Sequence, residues 1–188
     1  MITQVKYFLV AALVWLTAIV KAQDPKEIPN ILVSKLVEFD SVLLVYYTPT
    51  NGGTDHFDVG GYGLIGERMY KLDIGFKVEY SHNTFSERII LKKINKKVVE
   101  PNSLSDTLRR TQFSSIISLN ADSLGETLKC GASISDALSS TLLLIKRDKY
   151  YGISSYQPEF YQHLCPTKDR AVFLETKQRL ERFLKSSR

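Results

Sequence analysis

The sequence predicts an α+β domain, in which a mostly antiparallel sheet is packed by a C-terminal helix after a cleaved signal peptide. The sheet is indicated most clearly by residues 70 to 80, YKLDIGFKVEY, where apolar side chains alternate with polar residues and glycine. A period of two places alternate side chains on opposite faces of a strand, which is typical of an antiparallel sheet with one core face and one wet face. The helix is indicated by an amphipathic pattern after Thr167, and the signal peptide by an apolar N-terminal run.

Residues 1 to 22 have the form of a secretory signal peptide. Lys6 precedes an uncharged apolar run, and Val20 and Ala22 place small residues at the two positions that a signal peptidase inspects. The run is shorter than the ~20 apolar residues with which an α-helix crosses a bilayer. We expect cleavage after Ala22 and a secreted or periplasmic location, with an uncleaved anchor or a buried N-terminal helix as the alternative.

Residues 23 to 188 are then expected to form a single globular domain. The chain of 188 residues is 44% hydrophobic and 24% charged, as globular proteins are and disordered ones are not. Cleavage would remove Lys6 and Lys21 and no acidic residue, so the formal net charge would fall from +5 to +3. Proteins that bind nucleic acid concentrate Lys and Arg on one face, so this low charge predicts no nucleic-acid partner.

The N-terminal half is predicted to supply one short helix and most of the sheet. Residues 30 to 39 begin with an asparagine that can cap a helix, and their apolar side chains recur at helical spacing. The run SVLLVYYT, residues 41 to 48, is typical of a strand that is buried on both faces or lies in the middle of a sheet. Residues 56 to 65 indicate a strand weakened by glycine, and residues 87 to 99 indicate one long strand or a hairpin that turns at Asn95.

Between residues 102 and 145 the pattern is mixed. Residues 103 to 113 are expected to hold a short helix and residues 114 to 119 a strand. The apolar end of residues 135 to 145 fits either a helix or a buried strand, because a short apolar run does not distinguish the two. A late strand pair with its turn near Asp148 is expected to complete the sheet.

A final helix is expected to begin at the Thr167 cap and to run to about Leu184. Phe173, Leu180 and Leu184 recur at spacings of seven and four, which places them on one face of a helix. This helix is expected to cover one face of the sheet.

The segment GYGLIG, residues 61 to 66, has the G-x-G-x-x-G spacing of a dinucleotide-binding loop. Such a loop binds pyrophosphate because a helix starts directly after it and aims free N–H groups at the phosphates. Here a strand is predicted to follow. We therefore expect no nucleotide and no other cofactor, and we assign the glycines to a hairpin, a bulge or a close approach of two backbones.

Asp55, His56 and Asp58 form the best cluster of polar ligands, since carboxylates beside an imidazole can bind a divalent metal or orient a general base. A solvated loop explains the same residues, because the segment is rich in turn formers. His82 and His163 lie outside any nucleophile motif. We therefore predict no catalytic residue, and the alternative is an exported hydrolase that uses the Asp55, His56 and Asp58 loop or His82.

The chain has two cysteines, Cys130 and Cys165. Export would place them where disulfides persist, so we predict that they pair. Closing this loop would stabilise the fold by about 4 kcal/mol in the chain-entropy model. Two buried thiols are the alternative.

Two further groups of side chains are candidates for contact with a ligand or a surface. A tyrosine-lined groove for a peptide, glycan or lipid is one hypothesis, because tyrosine is common on binding surfaces. Packing of the last helix on the sheet is the alternative. The tyrosines concerned are Tyr150, Tyr151, Tyr156 and Tyr161. A basic group can contact an anionic membrane surface or, more commonly, protect an exposed strand edge from pairing. This group comprises Lys92, Lys93, Lys96 and Lys97.

Taken with the signal peptide, these patterns favour an exported, non-catalytic domain that binds a protein, glycan or lipid ligand. Membrane contact is expected only through an uncleaved leader or through the basic group.

Signal-peptide cleavage is directly testable by intact-mass spectrometry of the protein recovered from the medium or the periplasm. The expected chain begins at Gln23, because the peptidase acts after Ala22. A recovered chain that still begins at Met1 would contradict cleavage and favour the anchor.

Overall fold

A computed structural model describes residues 27–48, 56–81, 86–101, 103–109, 113–120, 123–124 and 138–186. The described strands form one six-stranded antiparallel sheet in the order β4-β3-β2-β1-β5-β6. The strands are β1 Ser41–Thr48, β2 His56–Ile65, β3 Arg68–Ser81, β4 Ser86–Val98, β5 Ser139–Lys146 and β6 Lys149–Tyr156. The described helices are α1 Glu27–Lys35, α2 Ser103–Arg109, α3 Phe113–Ile117, α4 Pro158–Leu164 and α5 Lys168–Ser186. The predicted α+β class is confirmed.

The middle of the sheet is strand β1, which pairs with β2 on one side and with β5 on the other. Its central residues, from Val42 to Tyr46, are at most 6% exposed. Successive side chains of a strand point to opposite faces, so a strand that is apolar at every position needs cover on both faces. The prediction of a strand buried on both faces is confirmed.

Helix α1 covers one face of the sheet. Its buried side chains Ile28 and Leu32 pack with Val42, Leu44 and the apolar face of β3 in one core cluster. The described helix runs from Glu27 to Lys35, so Asn30 lies inside it and the predicted cap at Asn30 is wrong.

Helix α5 covers the opposite face, as the amphipathic pattern predicts. Thr167 Oγ1 accepts a hydrogen bond from the backbone N–H of Arg170 at 3.1 Å, which confirms the predicted N-cap. Phe173 and Leu180 are fully buried. At the other end of the helix, Lys71 Nζ donates a hydrogen bond to the Leu184 carbonyl oxygen at 2.7 Å, where a cation is favoured by the helix dipole.

The alternation in β3 is confirmed, since Leu72, Ile74 and Phe76 all point into the α1 core. Strand β4 is one continuous strand, so the alternative of a hairpin at Asn95 is wrong. Its register shifts opposite Gly75 and Phe76. A β-bulge at this point lets the strand stay paired with β3 along its length.

One prediction for the stretch after β4 is wrong. Residues 114 to 119 were expected to form a strand, but α3 is a helix and the chain bonds onward through Ser118 N–H to Ser114 O at 3.0 Å. The reason is the spacing of its buried residues: Ile116 and Leu119 lie three apart, which puts them on one face of a helical turn. The predicted short helix is found from Ser103 to Arg109, and residues 110 to 112 lie outside the described chain.

The glycines of GYGLIG lie in β2 and in the turn that joins β2 to β3, so a strand and not a helix follows them. A Cβ atom on Gly61 would lie 2.0 Å from the Leu43 carbonyl oxygen, and one on Gly63 would lie 2.4 Å from the Phe39 ring. Gly66 has φ +55, a left-handed conformation that favours glycine. The predicted close approach of two backbones is thus found at Gly61 and the predicted hairpin turn at Gly66, whereas Gly63 makes room for a side chain.

Gly61→Ala should lower the free energy of unfolding by about 1–3 kcal/mol, because its methyl group has to move the β1 backbone. Gly152→Ala is the matched control in another strand, since a Cβ there would meet Leu143 Cδ1 at an ordinary 3.5 Å. The control should stay within about 0.5 kcal/mol of the wild type. Urea unfolding measures both, and equal effects at the two positions would contradict the close approach of β2 to β1.

Candidate functional site

A groove of about 430 Å³ lies between the C-terminal end of α1 and the turn that joins β5 to β6. We call it the α1 groove. Its size falls in the range of small-molecule sites, ~300–1,000 Å³. It is lined by Asn30, Val33, Ser34, Val37, Glu38, Phe39, Asp40, Arg147, Asp148 and Tyr150.

The floor of the groove is held by the chain between α1 and β1. The Phe39 ring is buried and meets the Tyr70 ring edge to face, with 5.7 Å between the ring centroids. The absence of a side chain at Gly63 makes room for it. Asp40 Oδ2 accepts a hydrogen bond from the Gly66 N–H at 2.7 Å, so the floor is tied to the β2–β3 turn.

One wall of the groove is apolar and open to solvent. Val37 is 69% exposed, although its spacing predicts that it belongs to the buried stripe of the first helix. The helix ends at Lys35, so Val37 leaves the stripe and faces outward. Val33 and Tyr150 are partly buried and continue this apolar surface.

Arg147 supplies the unusual polar group of the groove. Arg147 and Asp148 form the two-residue loop between the paired residues Lys146 and Lys149. Arg147 has φ 57, in the left-handed region where such loops normally carry glycine or asparagine. Within the described part of the chain, its guanidinium has no ion pair or hydrogen bond.

Two of the three acidic side chains in the lining already have partners. Glu38 forms an ion pair with Lys96, whose ammonium also lies 5.7 Å from the centroid of the Phe39 ring. Asp40 accepts the hydrogen bond from Gly66. Asp148 therefore remains as the acidic group that a ligand would meet beside Arg147.

The four predicted ligand-binding tyrosines do not line one groove. Tyr150 lies on the α1 face and Tyr151 on the α5 face, where its hydroxyl donates to the Leu119 carbonyl oxygen at 3.0 Å. Tyr156 and the buried Tyr161 are brought together, with ring centroids 6.5 Å apart. Only Tyr150 reaches the α1 groove.

The predicted metal cluster is described only in part. His56 and Asp58 are exposed on the same face of β2, whereas Asp55 and His82 lie outside the described residues. Among the residues that the structure describes, no group of three or more His, Cys, Asp or Glu side chains could hold a metal ion. The structure thus brings no third ligand to His56 and Asp58 within its described ranges.

The predicted disulfide lies at the limit of the described chain. Cys165 is the C-cap of α4, and its backbone N–H donates to the Tyr161 carbonyl oxygen at 2.9 Å. Cys130 lies outside the described residues. The pairing stays a prediction.

The four predicted basic residues are exposed along β4, which is an edge strand of the described sheet. Lys93 pairs with Asp73 at 3.3 Å, and Lys96 pairs with Glu38. These contacts fit the edge-protecting interpretation of the group.

A polar cluster around the buried Lys177 lies at the opposite end of the sheet. The Lys177 side chain is 7% exposed, forms an ion pair with Glu159 of α4, and lies 3.5 Å from Glu181. Its ammonium is 5.3 Å from the centroid of the Tyr47 ring, and the Tyr47 hydroxyl donates to Glu181. One ammonium and two carboxylates join β1, α4 and α5 here, so the contacts of this cluster are structural.

The sequence patterns did not single out Arg147 or Val37. The signal for Arg147 was present, because a turn was predicted near Asp148 and an arginine stood where a two-residue hairpin loop favours glycine or asparagine. The signal for Val37 depended on where α1 ends, which periodicity does not resolve.

A scan against models of known protein families finds no match, and a search of curated proteins finds no significant one. Among the described residues, no helix combines the length and the apolar character that crossing a membrane requires.

The free energy of unfolding should fall as the pH rises above about 10, the ordinary tyrosine pKa. Burial raises the pKa of Tyr46 and Tyr151, and burial followed by the hydrogen bond to Glu181 raises the pKa of Tyr47. The folded state thus holds these protons more tightly than the unfolded chain does. Their contribution is complete below the unfolded pKa and is lost as the pH rises through the folded pKa.

Urea unfolding between about pH 8 and pH 11 measures this fall, and the range spans the unfolded tyrosine pKa. Tyr47→Phe should show a smaller fall than the wild type, because it removes one of the three phenols. An identical fall in the variant would contradict the role of Tyr47.

Proposed function

We propose that the protein is an exported, non-catalytic binding protein whose α1 groove takes a small amphipathic ligand with one carboxylate or similar anionic group. The observation that carries this proposal is the Arg147 guanidinium, which stands at the groove without a partner among the described residues. A guanidinium can donate two parallel hydrogen bonds to a carboxylate, so it is well suited to bind such a group.

The backbone at Arg147 supports the proposal. A non-glycine residue in the left-handed region raises the free energy of the folded state by roughly 1–2 kcal/mol. Residues in such conformations cluster at ligand sites. Its φ of 57 holds it there at the tip of a hairpin whose next residues also line the groove. The short hairpin loop fixes where the Arg147 backbone lies relative to the groove.

The other residues that line the groove favour a ligand with one apolar body and one negative charge. Val33, Val37 and Tyr150 offer an apolar wall, of which Val37 is largely exposed. Asp148 adjoins Arg147 in the chain and would repel a second negative charge on the ligand. A monocarboxylate with an alkyl or aromatic body therefore fits this groove better than a polyphosphate or a polyanionic glycan.

Octanoate and octanol are matched probes, because they share an apolar chain and differ in the charge of the head group. Octanoate should bind the wild-type protein more tightly than octanol, as measured by isothermal titration calorimetry. Arg147→Gly should weaken octanoate binding by about tenfold, the loss expected for a charge-assisted hydrogen bond of roughly 1.4 kcal/mol. Octanol binding should stay unchanged.

The same variant should raise the free energy of unfolding by about 0.5–1 kcal/mol, because glycine adopts positive φ readily. Arg182→Gly is the control for the loss of an arginine, since Arg182 is exposed on α5 and lies outside the groove. It should leave octanoate binding unchanged and, as a glycine inside a helix, lower stability. Equal octanoate and octanol affinities in the wild type, or undiminished octanoate binding in Arg147→Gly, would contradict the proposal.

A further inference from the structure

The two edge strands of the described sheet are protected to different degrees. An open edge presents unpaired backbone N–H and C=O groups, and proteins guard it with lysines, bulges or short strands. Strand β4 has both a bulge and four exposed lysines, Lys92, Lys93, Lys96 and Lys97. Pairing β4 with another strand would bury these charges or bring them against a neighbour.

Strand β6 lacks this protection. Its sequence is KYYGISSY, so Lys149 at the first position is its one charged residue. Ile153 and Ser155 are buried on the α5 side, while Gly152 and Ser154 are exposed on the other side. Within the described residues, β6 pairs with β5 alone, and its outer edge has no partner strand.

The helix that follows β6 leaves the plane of the sheet. Gln157 has φ 42 and ψ 54, which turns the chain directly after the strand. Helix α4 is then held against α5 by the ion pair of Glu159 with Lys177 and by the hydrogen bond from Arg170 to the Tyr161 carbonyl oxygen. The helix therefore lies over the α5 face and does not extend beyond β6 in the sheet.

We infer that β6 is an association edge through which two copies of this protein pair antiparallel about a two-fold axis, joining their sheets into one. A two-fold interface sets a strand against its own copy, so residues of the same face lie opposite each other. With Gly152 on the axis, Tyr151 lies opposite Ile153 of the second copy and Tyr150 lies opposite its Ser154. These are aromatic–aliphatic and aromatic–hydroxyl pairs, and cross-strand pairs of this kind stabilise antiparallel sheets.

Charge favours a second copy at β6. In the register centred on Gly152, Lys149 lies opposite Ser155 of the second copy, so no two charges of the same sign face each other. The corresponding arrangement of β4 on itself, centred near Asn95, places Lys93 opposite Lys97 and is opposed by their repulsion. Association through β6 requires no ligand in the α1 groove, although Tyr150 belongs both to the groove and to the strand.

Light scattering after size-exclusion chromatography tests the association. The wild type should show twice the mass of one chain, and Gly152→Lys should show the mass of a single chain, because it puts two lysines face to face on the axis. Asn95→Lys is the matched control, since it adds the same charge to an exposed position on the other edge strand, and it should remain a dimer. A monomeric wild type, or a dimeric Gly152→Lys, would overturn the inference.

Hydrogen exchange of the wild type supplies a readout that does not depend on a folded variant. Protection of the outward backbone N–H groups of β6 should rise with protein concentration, while that of β4 should not change. If β6 is protected equally at every concentration and the protein stays monomeric, its edge is covered within the chain and the inference fails. If β4 alone gains protection with concentration, the association uses the other edge and the inference also fails.

Discussion

The burial of β1 on both faces is the constraint on which the rest of the structure depends. Residues 42 to 46 carry buried, mostly apolar side chains at consecutive positions, so both faces of the central strand have to be shielded from water. Helix α1 has to cover one face and α5 the other, and each helix closes its own core cluster. The close approach of β2 follows from the same arrangement, because Gly61 lets its backbone pass against β1 where any side chain would meet the Leu43 carbonyl oxygen. The placement of the two helices on opposite faces of the sheet thus follows from the need to bury both faces of β1.

Long α5 is held in place by polar contacts at both ends and by apolar ones between them. Near its start, the fully buried Arg170 donates hydrogen bonds to the carbonyl oxygens of Tyr161, Cys165 and Ser123, which ties α4 and the segment before β5 to the helix. Further along, Lys177 connects it to α4 and to the end of β1. Burying a charge costs free energy, and the three hydrogen bonds of Arg170 and the ion pair of Lys177 offset part of this cost. They fix where α4 lies, and within the described residues the outer edge of β6 has no partner strand.

The groove lies where helix α1 does not cover its face of the sheet completely. Helix α1 is short and ends at Lys35, so the chain that returns to β1 leaves a gap beside the β5–β6 turn. Phe39 and Asp40 close the bottom of this gap, whereas Val37 and Arg147 remain at its rim. The exposed Val37 side chain and a guanidinium without a partner among the described residues match the two parts of an amphipathic ligand, and this is why the groove is the candidate site. The groove and the β6 edge share the β5–β6 hairpin, and Tyr150 belongs to both.

The sequence by itself determined the class of the fold and much of its sheet. Alternation in β3, the double-sided apolar run of β1, the Thr167 cap and the turn near Asp148 are local signals, because each rests on residues close together in the chain, and the structure confirms them. Only the tertiary structure decided which strands are edges, that residues 114 to 119 are helical, and that Arg147 meets Val37 across a groove. The same holds for the tyrosines, whose clustering in sequence does not survive as clustering in space. The physical reason is that a site is a convergence of side chains far apart in the chain, and periodicity records only which face each residue occupies.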